Sequence, residues 1–256
     1  MIRVRVKGQR RLSPGYLLLD LEAPEVAERA RPGQFVRVKA WWGRDPLLPR
    51  PFSVHEVLGG RIRLLYGVRG PGTETLSRLS RGDVLLLDGP LGRPFPLPER
   101  GPVWLVAGGI GVAPFLFYLS ELRNRGLPTR LFYGGRSRGD LLRVDRLREL
   151  SGALVLTTED GSRGRKGLVT DPLSRALGRE RPALMVACGP PGLLKAVGRL
   201  AEARGIPAYL SLEALMACGR GLCLGCAVAR RGGGTLKVCV EGPAVDSREV
   251  DLETLV

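Results

Sequence analysis

The alternation of apolar and polar residues divides most of the chain into two stretches of different texture. Residues 1 to 98 hold short apolar runs, separated by turn-forming pairs such as Pro14-Gly15 and Gly59-Gly60. Short runs bounded by glycine, proline or aspartate predict β-strands, and strands at this spacing predict a small barrel or sandwich. We expect one helix, Gly72 to Leu79, and six strands: Val4 to Val6, Tyr16 to Leu21, Gln34 to Val38, Phe52 to Val57, Arg61 to Val68 and Asp83 to Leu87.

From about residue 101 the pattern becomes strand, glycine turn, helix and strand again. Alternation of this kind is typical of a parallel sheet with crossover helices. The expected strands are Val103 to Ala107, Thr129 to Tyr133, Ala153 to Thr157 and Ala183 to Ala187. The expected helices are Pro114 to Asn124, Arg143 to Leu150, Asp171 to Leu177 and Gly192 to Ala203.

The last stretch, from about residue 208, carries four of the five cysteines. Cys218, Cys223 and Cys226 follow the pattern C-x4-C-x2-C, and Cys239 comes after twelve further residues. This is the ligand spacing of a plant-type [2Fe–2S] cluster, in which a tight loop wraps three thiolates around one side of a small cluster. Zinc sites usually use C-x2-C pairs, and disulfides are rare in the cytosol, so the spacing favours the cluster.

Glycines in the cysteine loop strengthen this interpretation. Gly219, Gly221 and Gly225 allow positive φ angles, which let backbone N–H groups come close to sulfur. We expect the fourth thiolate, Cys239, on a strand after the turn at residues 232–234.

These stretches predict an α+β multidomain chain of three parts. An N-terminal antiparallel β-barrel takes residues 1–98, and an α/β parallel-sheet nucleotide-binding domain takes residues 99–207. A small C-terminal [2Fe–2S] subdomain takes residues 208–256 and is too short for a core of its own, so it needs the metal as a staple.

Composition and charge narrow the class of protein. No run of about 18 apolar residues could span a membrane, and the N-terminal residues do not form a secretory signal, so we expect a cytoplasmic protein. The net charge of +15 would suit nucleic acid. The arginines are spread along the chain without a basic tail, however, so we expect no nucleic-acid partner. A zinc-stapled nucleic-acid-binding module remains the alternative from another class.

Two motifs in the first stretch could bind an anionic cofactor. In Arg50-Pro51-Phe52-Ser53, the arginine can pair with a pyrophosphate, and the aromatic ring and serine can contact a flavin. Gly70-Pro71-Gly72-Thr73 opens the expected helix. A helix N-terminus suits phosphate, although Thr73 can equally be an ordinary N-cap. His55, the single histidine, is expected to pack in the core rather than bind metal.

Two motifs in the second stretch follow expected strands. Residues 108–114, G-G-I-G-V-A-P, join a strand to a helix, as a phosphate-binding loop requires. Cys188-Gly189-Pro190-Pro191 lies at the C-terminal end of a later strand, the edge at which parallel sheets bind ligands. Cys188 is therefore a candidate contact for a nicotinamide, although a lone buried thiol more often only packs.

Taken in order, R-P-F-S, G-P-G-T, G-P-L-G (residues 89–92), G-G-I-G-V-A-P and C-G-P-P resemble the ferredoxin–NADP reductase superfamily. The C-terminal S-L-E-A-L-M-A-C-G-R-G-L-C-L-G-C and V-C-V-E-G-P are similar to one branch, the electron transfer subunits of class 1B dihydroorotate dehydrogenases. This resemblance covers nearly the whole chain.

The resemblance implies cofactors and site residues. FAD would be held by Arg50, Pro51, Phe52, Ser53, Tyr66, Val68, Gly72 and Thr73. Gly109, Gly111 and Cys188 would line the nicotinamide site, and the cluster cysteines would be Cys218, Cys223, Cys226 and Cys239. Hydride transfer would be borne by FAD, so no catalytic side chain is expected in this chain.

The resemblance also implies a partner. An FMN-containing catalytic subunit would oxidise dihydroorotate in pyrimidine (UMP) synthesis, in a heterotetramer with two copies of each subunit. Electrons would cross the cluster to FAD and then reach NAD, and Arg220, Leu222 and Leu224 would face the partner. Arg136, Ser137 and Arg138 keep NADP open, because basic residues there can bind a ribose phosphate. Related subunits that serve a sulfite reductase, a hydrogenase or a ferredoxin:NADP transhydrogenase are the alternative within oxidoreductases.

Overall fold

The computed structural model describes residues 1–41, 43 and 45–255. The first part of the chain forms a seven-stranded antiparallel sheet in the order β4-β3-β7-β1-β2-β6-β5. Two short helices accompany it, α1 (Pro24–Arg29) and α2 (Pro71–Ser77), so the prediction of a single helix here is wrong. Helix α1 has only six residues, too few to show helical periodicity in the sequence. Its strands are β1 (Ile2–Ser13), β2 (Tyr16–Glu22), β3 (Phe35–Lys39), β4 (Arg50–Ser53), β5 (Glu56–Leu58), β6 (Arg61–Gly67) and β7 (Val84–Leu91).

One predicted strand, Phe52 to Val57, is wrong as a continuous element. It breaks between β4 and β5, where the chain changes neighbours: the Val54 N–H donates to Gln34 at 3.0 Å, and the His55 N–H donates to Arg63 at 2.9 Å. Because β4 and β5 are the two edges of the sheet, these two residues join its edges and curl it into a barrel. Alternate side chains of β2, β6 and β7 fill the interior.

The second part forms another seven-stranded sheet, in the order β11-β10-β9-β8-β12-β13-β16. Its last strand, β16 (Ala244–Asp246), comes from the cysteine-rich end of the chain. Its pairs are parallel except that β16 runs antiparallel to β13. The strands are β8 (Val103–Gly108), β9 (Thr129–Gly135), β10 (Ala153–Thr158), β11 (Arg165–Lys166), β12 (Leu184–Cys188) and β13 (Ala208–Ser211). The helices are α3 (Phe115–Asn124), α4 (Val144–Leu150), α5 (Thr170–Leu177) and α6 (Pro191–Glu202), so the predicted alternation is confirmed.

The topology of this sheet locates a binding edge. From β8 the chain moves outward to β9, β10 and β11, and it then returns to the other side of β8 with β12. Such a reversal of strand order opens a crevice at the carboxyl ends of the strands. The loops after β8 and β12, which carry the glycine motif and Cys188, meet at this crevice.

The cysteine-rich end of the chain contains β14 (Ala227–Ala229), β15 (Thr235–Lys237), α7 (Val238–Glu241) and β16 (Ala244–Asp246). The prediction that Cys239 lies on a strand is wrong, because it lies in α7, directly after β15. The Glu241 carboxylate accepts a hydrogen bond from the Lys237 N–H at 2.7 Å, which satisfies a donor at the start of that helical turn.

The C-terminal segment shares its core with the second sheet. Strands β13 and β16 belong to that sheet, and Met216, Leu236 and Val238 pack in one cluster with residues of α5 and α6. Among the described residues, no helix is long and apolar enough to cross a bilayer.

Candidate functional site: a sheet-edge cleft and a cysteine loop

Two adjoining cavities lie between the barrel and the edge of the second sheet. One of about 790 Å³ is lined by the loops after β8, β9 and β12, including Gly109 and Gly111. The other, of about 380 Å³, is lined by Arg50, Pro51, Phe52, Ser53, Tyr66, Thr73 and Cys188. Both are bordered by the same four residues, Arg69, Ile110, Leu212 and Glu213. A ligand in the larger cavity can therefore reach a ligand in the smaller one.

The two predicted pyrophosphate motifs meet at the smaller cavity. A Cβ atom built on Gly72 would lie 3.0 Å from Nε of Arg50, so the absence of a side chain at Gly72 lets the guanidinium approach α2. Thr73 holds the turn before α2: its hydroxyl accepts from the N–H groups of Arg69 at 2.8 Å and Gly70 at 3.1 Å. The prediction that Thr73 is the N-cap is wrong: Gly70 is the N-cap, and Thr73 lies at the third helical position and reaches back to it, as in a capping box. Arg50 remains the group that can pair with a pyrophosphate. Val68 and Gly72 line neither cavity.

The aromatic wall of this cavity is preorganised. The rings of Phe52 and Tyr66 lie 5.5 Å apart at 59°. The buried Tyr66 hydroxyl donates to Oε1 of Gln9 at 2.8 Å, which fixes the ring. Burial raises the pKa of Tyr66 far above its ordinary value, so it stays neutral. A planar aromatic ligand such as a flavin would find a rigid apolar wall here.

Glycine is required where the β8 and β12 loops touch. A Cβ atom on Gly111 would lie 2.3 Å from the carbonyl oxygen of Cys188, closer than any real contact. The two loops therefore pack backbone against backbone, and N–H groups at the crevice are left uncovered by side chains, as close approach of a dinucleotide requires.

Cys188 ends β12 opposite Ser211 of β13. Its thiol is buried, and burial, reinforced by the charge of Glu213, raises its pKa to about 12. It is therefore protonated and acts as a packing or contact group rather than as a nucleophile.

Sequence reasoning missed Glu213 and Arg69, the two charged residues that border both cavities. Glu213 is solvent-accessible, yet the walls of the cleft displace enough water to raise its pKa, and Arg69 opposes that effect. Glu213 lies inside the quoted motif S-L-E-A, so the motif was a usable signal. Arg69 has no motif of its own.

At the far end of the larger cavity, Arg136 and Glu159 both line the wall. The Glu159 N–H donates to the Gly135 carbonyl at 3.1 Å, so the turns after β9 and β10 are tied together. Ser137 caps the short turn that follows, and its hydroxyl accepts from the Gly139 N–H at 3.3 Å.

The cysteine loop is built to stabilise thiolates. Cys218 Sγ accepts from the N–H groups of Arg220, Leu222 and Cys223, each at 3.4 Å. These backbone hydrogen bonds lower the Cys218 pKa to about 6. Cys239 Sγ also accepts from the Gly221 N–H at 3.2 Å, but burial outweighs that bond and raises the Cys239 pKa to about 11. Hydrogen bonds to ligand sulfur are the usual environment of an iron–sulfur cluster, so this donor set fits one.

The four cysteines differ in exposure. Cys226 and Cys239 are buried, Cys218 is half-buried and Cys223 is exposed. Within residues 1–41, 43 and 45–255, no three His, Cys, Asp or Glu side chains converge on a single ion position. A [2Fe–2S] cluster takes two cysteines on each iron, so it does not require such a convergence.

Three large apolar side chains in and just before this loop are exposed to solvent. Leu215, Leu222 and Leu224 are 88%, 82% and 60% exposed. Leu222 and Leu224 flank Cys223, and exposed apolar side chains grouped in this way mark an interaction surface.

Comparisons with known proteins agree with this geometry. Residues 213–251 match the family described as the iron-sulfur cluster binding domain of dihydroorotate dehydrogenase B, and residues 105–199 match an oxidoreductase NAD-binding domain. The chain is 37% identical to the dihydroorotate dehydrogenase B (NAD(+)) electron transfer subunit of Desulforamulus reducens, with 93% of this chain and 94% of that protein covered. The corresponding subunit of Clostridium acetobutylicum is 39% identical over 87% of each chain.

Solved structures of related reductases superpose on this chain. A chain of the NADH-dependent reduced ferredoxin-NADP oxidoreductase, described in connection with flavin-based electron bifurcation, superposes with a TM-score of 0.89 at 31% identity. This chain is covered completely and that one to 92%. A ferredoxin NADP+ reductase from Neisseria gonorrhoeae with bound FAD and NADP superposes with a TM-score of 0.64 at 20% identity, over 81% of this chain and 92% of that one. At that identity the likeness establishes the fold alone.

Proposed function

Because the chain belongs to the family of electron transfer subunits of dihydroorotate dehydrogenase B (NAD(+)), we propose that it carries electrons from a dihydroorotate-oxidising partner to NAD+. It is an oxidoreductase subunit, and its cofactors are FAD, a [2Fe–2S] cluster and NAD. The proposed partner is an FMN-containing catalytic subunit, and the pathway served is pyrimidine synthesis. The cytoplasm as its location and two copies of each subunit remain predictions.

The observation that carries this proposal is the shared wall of the two cavities. Arg69, Ile110, Leu212 and Glu213 border both, so a nicotinamide in the larger cavity and a flavin in the smaller one would meet there. The segment that supplies Leu212 and Glu213 leads directly from β13 into the cysteine loop at Cys218. One short stretch of chain thus links all three proposed sites.

We assign the barrel side of the smaller cavity to FAD. Arg50 would pair with its pyrophosphate, because a planar guanidinium matches phosphate oxygens in geometry and charge. Phe52 and Tyr66 would supply the aromatic wall, and Pro51 and Ser53 the rest of the same strand edge. Gly72, Thr73 and Val68 would act indirectly, by shaping the turn and strand around Arg50.

The edge of the second sheet is assigned to NAD. Gly109 and Gly111 leave room for the dinucleotide backbone in the larger cavity. Cys188 lines only the smaller cavity, so it would touch the nicotinamide, as a neutral thiol, only where that ring meets the flavin. When bound, FAD can exchange a hydride with NAD and single electrons with an iron–sulfur cluster. No side chain of this chain has to act as an acid or base, and the neutral Cys188 agrees with that.

Cys218, Cys223, Cys226 and Cys239 are assigned as the cluster ligands. Backbone N–H groups donate to the sulfur atoms of three of them, Cys218, Cys226 and Cys239. The exposed Leu215, Leu222 and Leu224 beside the loop would contact the partner subunit, which places the cluster ligands close to the partner's flavin.

The second candidate function is electron supply to a ferredoxin-linked partner. It is favoured by the likeness to the NADH-dependent reduced ferredoxin-NADP oxidoreductase.

The test of the proposed function mixes the reconstituted chain with the FMN-containing dihydroorotate dehydrogenase subunit of the same organism and follows NADH formation from dihydroorotate at 340 nm. NADH should form only when both subunits are present, and Cys223→Ser should abolish it. NADPH formation from reduced ferredoxin, with none from dihydroorotate, would favour the second candidate instead.

A further inference from the structure

A buried ion pair lies in the barrel beneath the cysteine loop. Arg37 of β3 and Asp88 of β7 stand directly opposite each other in the strand register. Their side chains, 9% and 8% exposed, form a salt bridge between Arg37 Nη2 and Asp88 Oδ2. Burying such a pair carries a desolvation cost that opposes the Coulombic gain.

Both members of the pair also hold the cysteine loop. Arg37 Nη1 donates to the carbonyl oxygen of Ala217 at 2.6 Å. Asp88 Oδ1 accepts from Nη2 of Arg220 at 2.7 Å. Ala217 and Arg220 flank Cys218-Gly219, so the barrel grips the loop on both sides of its first cysteine.

Gly219 provides a third point of approach between Arg37 and the loop. Gly219 has φ of +64°, and a Cβ atom there would lie 2.7 Å from Nε of Arg37. Arg37 Nε is buried and has no hydrogen-bond partner among the described residues. The guanidinium therefore lies against the loop backbone beside Cys218 with one of its donors still unused.

The charges in this group do not cancel. Arg37 and Arg220 contribute two positive charges and Asp88 one negative charge, which leaves one net positive charge at the loop. A charge screened poorly by solvent acts strongly on its neighbours. Net charge and hydrogen bonding around the sulfur atoms set the reduction potential of an iron–sulfur cluster.

We propose that Arg37 is a positioning residue for the cluster: it clamps the loop at Ala217 and Gly219, and its buried positive charge raises the reduction potential of the cluster. This inference rests on the proposed assignment of Cys218, Cys223, Cys226 and Cys239 as ligands. It adds a residue from the barrel, about 180 positions earlier in the chain, to the environment of the C-terminal site.

The test compares the reconstituted parent with Arg37→Gln and Arg37→Lys in a redox titration followed by electron paramagnetic resonance. Arg37→Gln should make the midpoint potential of the cluster more negative. Removal of an outer-shell partner typically costs about 10- to 100-fold in metal affinity, so iron release to a chelator should become faster. Arg37→Lys keeps the charge without the fork, so its potential should stay near that of the parent while iron is still released faster.

The matched control is Arg63→Gln. Arg63 of β6 likewise forms a salt bridge with the carboxylate opposite it on a neighbouring strand, Asp20 of β2. It should leave the potential unchanged. Should Arg37→Gln fail to fold, Arg220→Gln removes the exposed member, 59% accessible, and should shift the potential in the same direction by less, because water screens it.

The outcomes separate two failures. A parent with no [2Fe–2S] signal after anaerobic reconstitution would overturn the proposed function together with this inference. A parent with the signal, but with Arg37→Gln or its substitute Arg220→Gln at the parent potential, would overturn only the inference. Faster iron release at an unchanged potential counts against it too, because it would leave Arg37 a structural clamp alone.

Discussion

Nδ1 of His55, in the barrel, lies 2.6 Å from the carbonyl oxygen of Ala113, in the glycine loop of the second sheet. A carbonyl can only accept, so Nδ1 carries the proton and the neutral ring donates. His55 is fully buried. This hydrogen bond ties the break between β4 and β5, directly after the predicted FAD motif, to the loop that shapes the predicted nicotinamide site, so the single histidine connects the barrel to the second sheet.

That contact predicts a pH dependence of stability. Burial, helped by the charge of Arg143, lowers the pKa of His55 from 6.5 to about 4, although the bond to Ala113 opposes the shift. Between these values the unfolded chain binds a proton that the folded chain does not. The contribution of His55 to the free energy of unfolding is therefore complete above about pH 6.5. It is lost as the pH falls toward 4, by up to about 1 kcal/mol per pH unit.

His55→Asn isolates this effect, because an amide can donate to Ala113 but does not titrate. Glu56, Arg63 and Arg143 remain in both proteins. The free energy of unfolding, measured in urea, should fall more in the parent than in the variant as the pH is lowered from about 6.5 to 4.5. Parallel pH profiles would mean that His55 is not buried neutral.

Removal of Arg50 should weaken FAD binding. A hydrogen bond to a charged group contributes roughly 1.5 to 3 kcal/mol, so Arg50→Ala should raise the FAD dissociation constant about 10- to 100-fold. Arg50→Lys should bind with intermediate affinity, because it keeps the charge but not the fork. The FAD dissociation constant of each variant is measured by the quenching of FAD fluorescence on binding. Arg78→Ala, exposed at the end of α2, is the control, and equal losses in both variants would remove Arg50 from the site.

The cysteines should separate by function. Cys223→Ser should lose the cluster but keep FAD and its reduction by NADH, because Cys223 belongs to the exposed loop and lines neither cavity. Cys188→Ser should keep the cluster. Iron per chain and the low-temperature paramagnetic signal provide the readout, and iron loss in Cys188→Ser would contradict the assignment.

Gly111→Ala should damage the nicotinamide side selectively. Its Cβ would press on the Cys188 carbonyl at 2.3 Å, and overpacking of this kind costs about 1 to 3 kcal/mol. We expect lower thermal stability and a higher KM for NADH, with FAD affinity near that of the parent. Gly8→Ala, where a Cβ meets nothing within 4 Å, controls for loss of a glycine. A normal KM in a stable Gly111→Ala would show that the loop does not approach the dinucleotide.

Local patterns were sufficient for most elements of the fold. Strands β8, β9, β10 and β12, with the helices between them, are marked by apolar runs and glycine turns and were predicted nearly to the residue. The cysteine spacing and the R-P-F-S and glycine motifs likewise needed no structure to be noticed, because the chemistry requires those residues close together in sequence.

Long-range pairing was not predictable from such patterns. The break at Val54 and His55 has no glycine or proline to mark it, since it arises where the barrel closes. Strand β16 joins the second sheet beside β13, from which about thirty residues separate it in sequence. The grip of Arg37 on Ala217 spans 180 positions, and no periodicity relates them. Glu213 stood inside a motif, but its place between two cavities depends on how the domains pack.

The most direct measurement is an anaerobic titration of the purified, reconstituted chain with NADH, followed by visible absorption and paramagnetic resonance. The account predicts one FAD and two iron atoms per chain. NADH should bleach the flavin bands, and the signal of a reduced [2Fe–2S] cluster should appear in the same titration. A colourless protein that binds zinc, or a flavin that NADH reduces while the cluster stays oxidised at any excess, would contradict an electron path from nicotinamide through FAD to the cysteine loop.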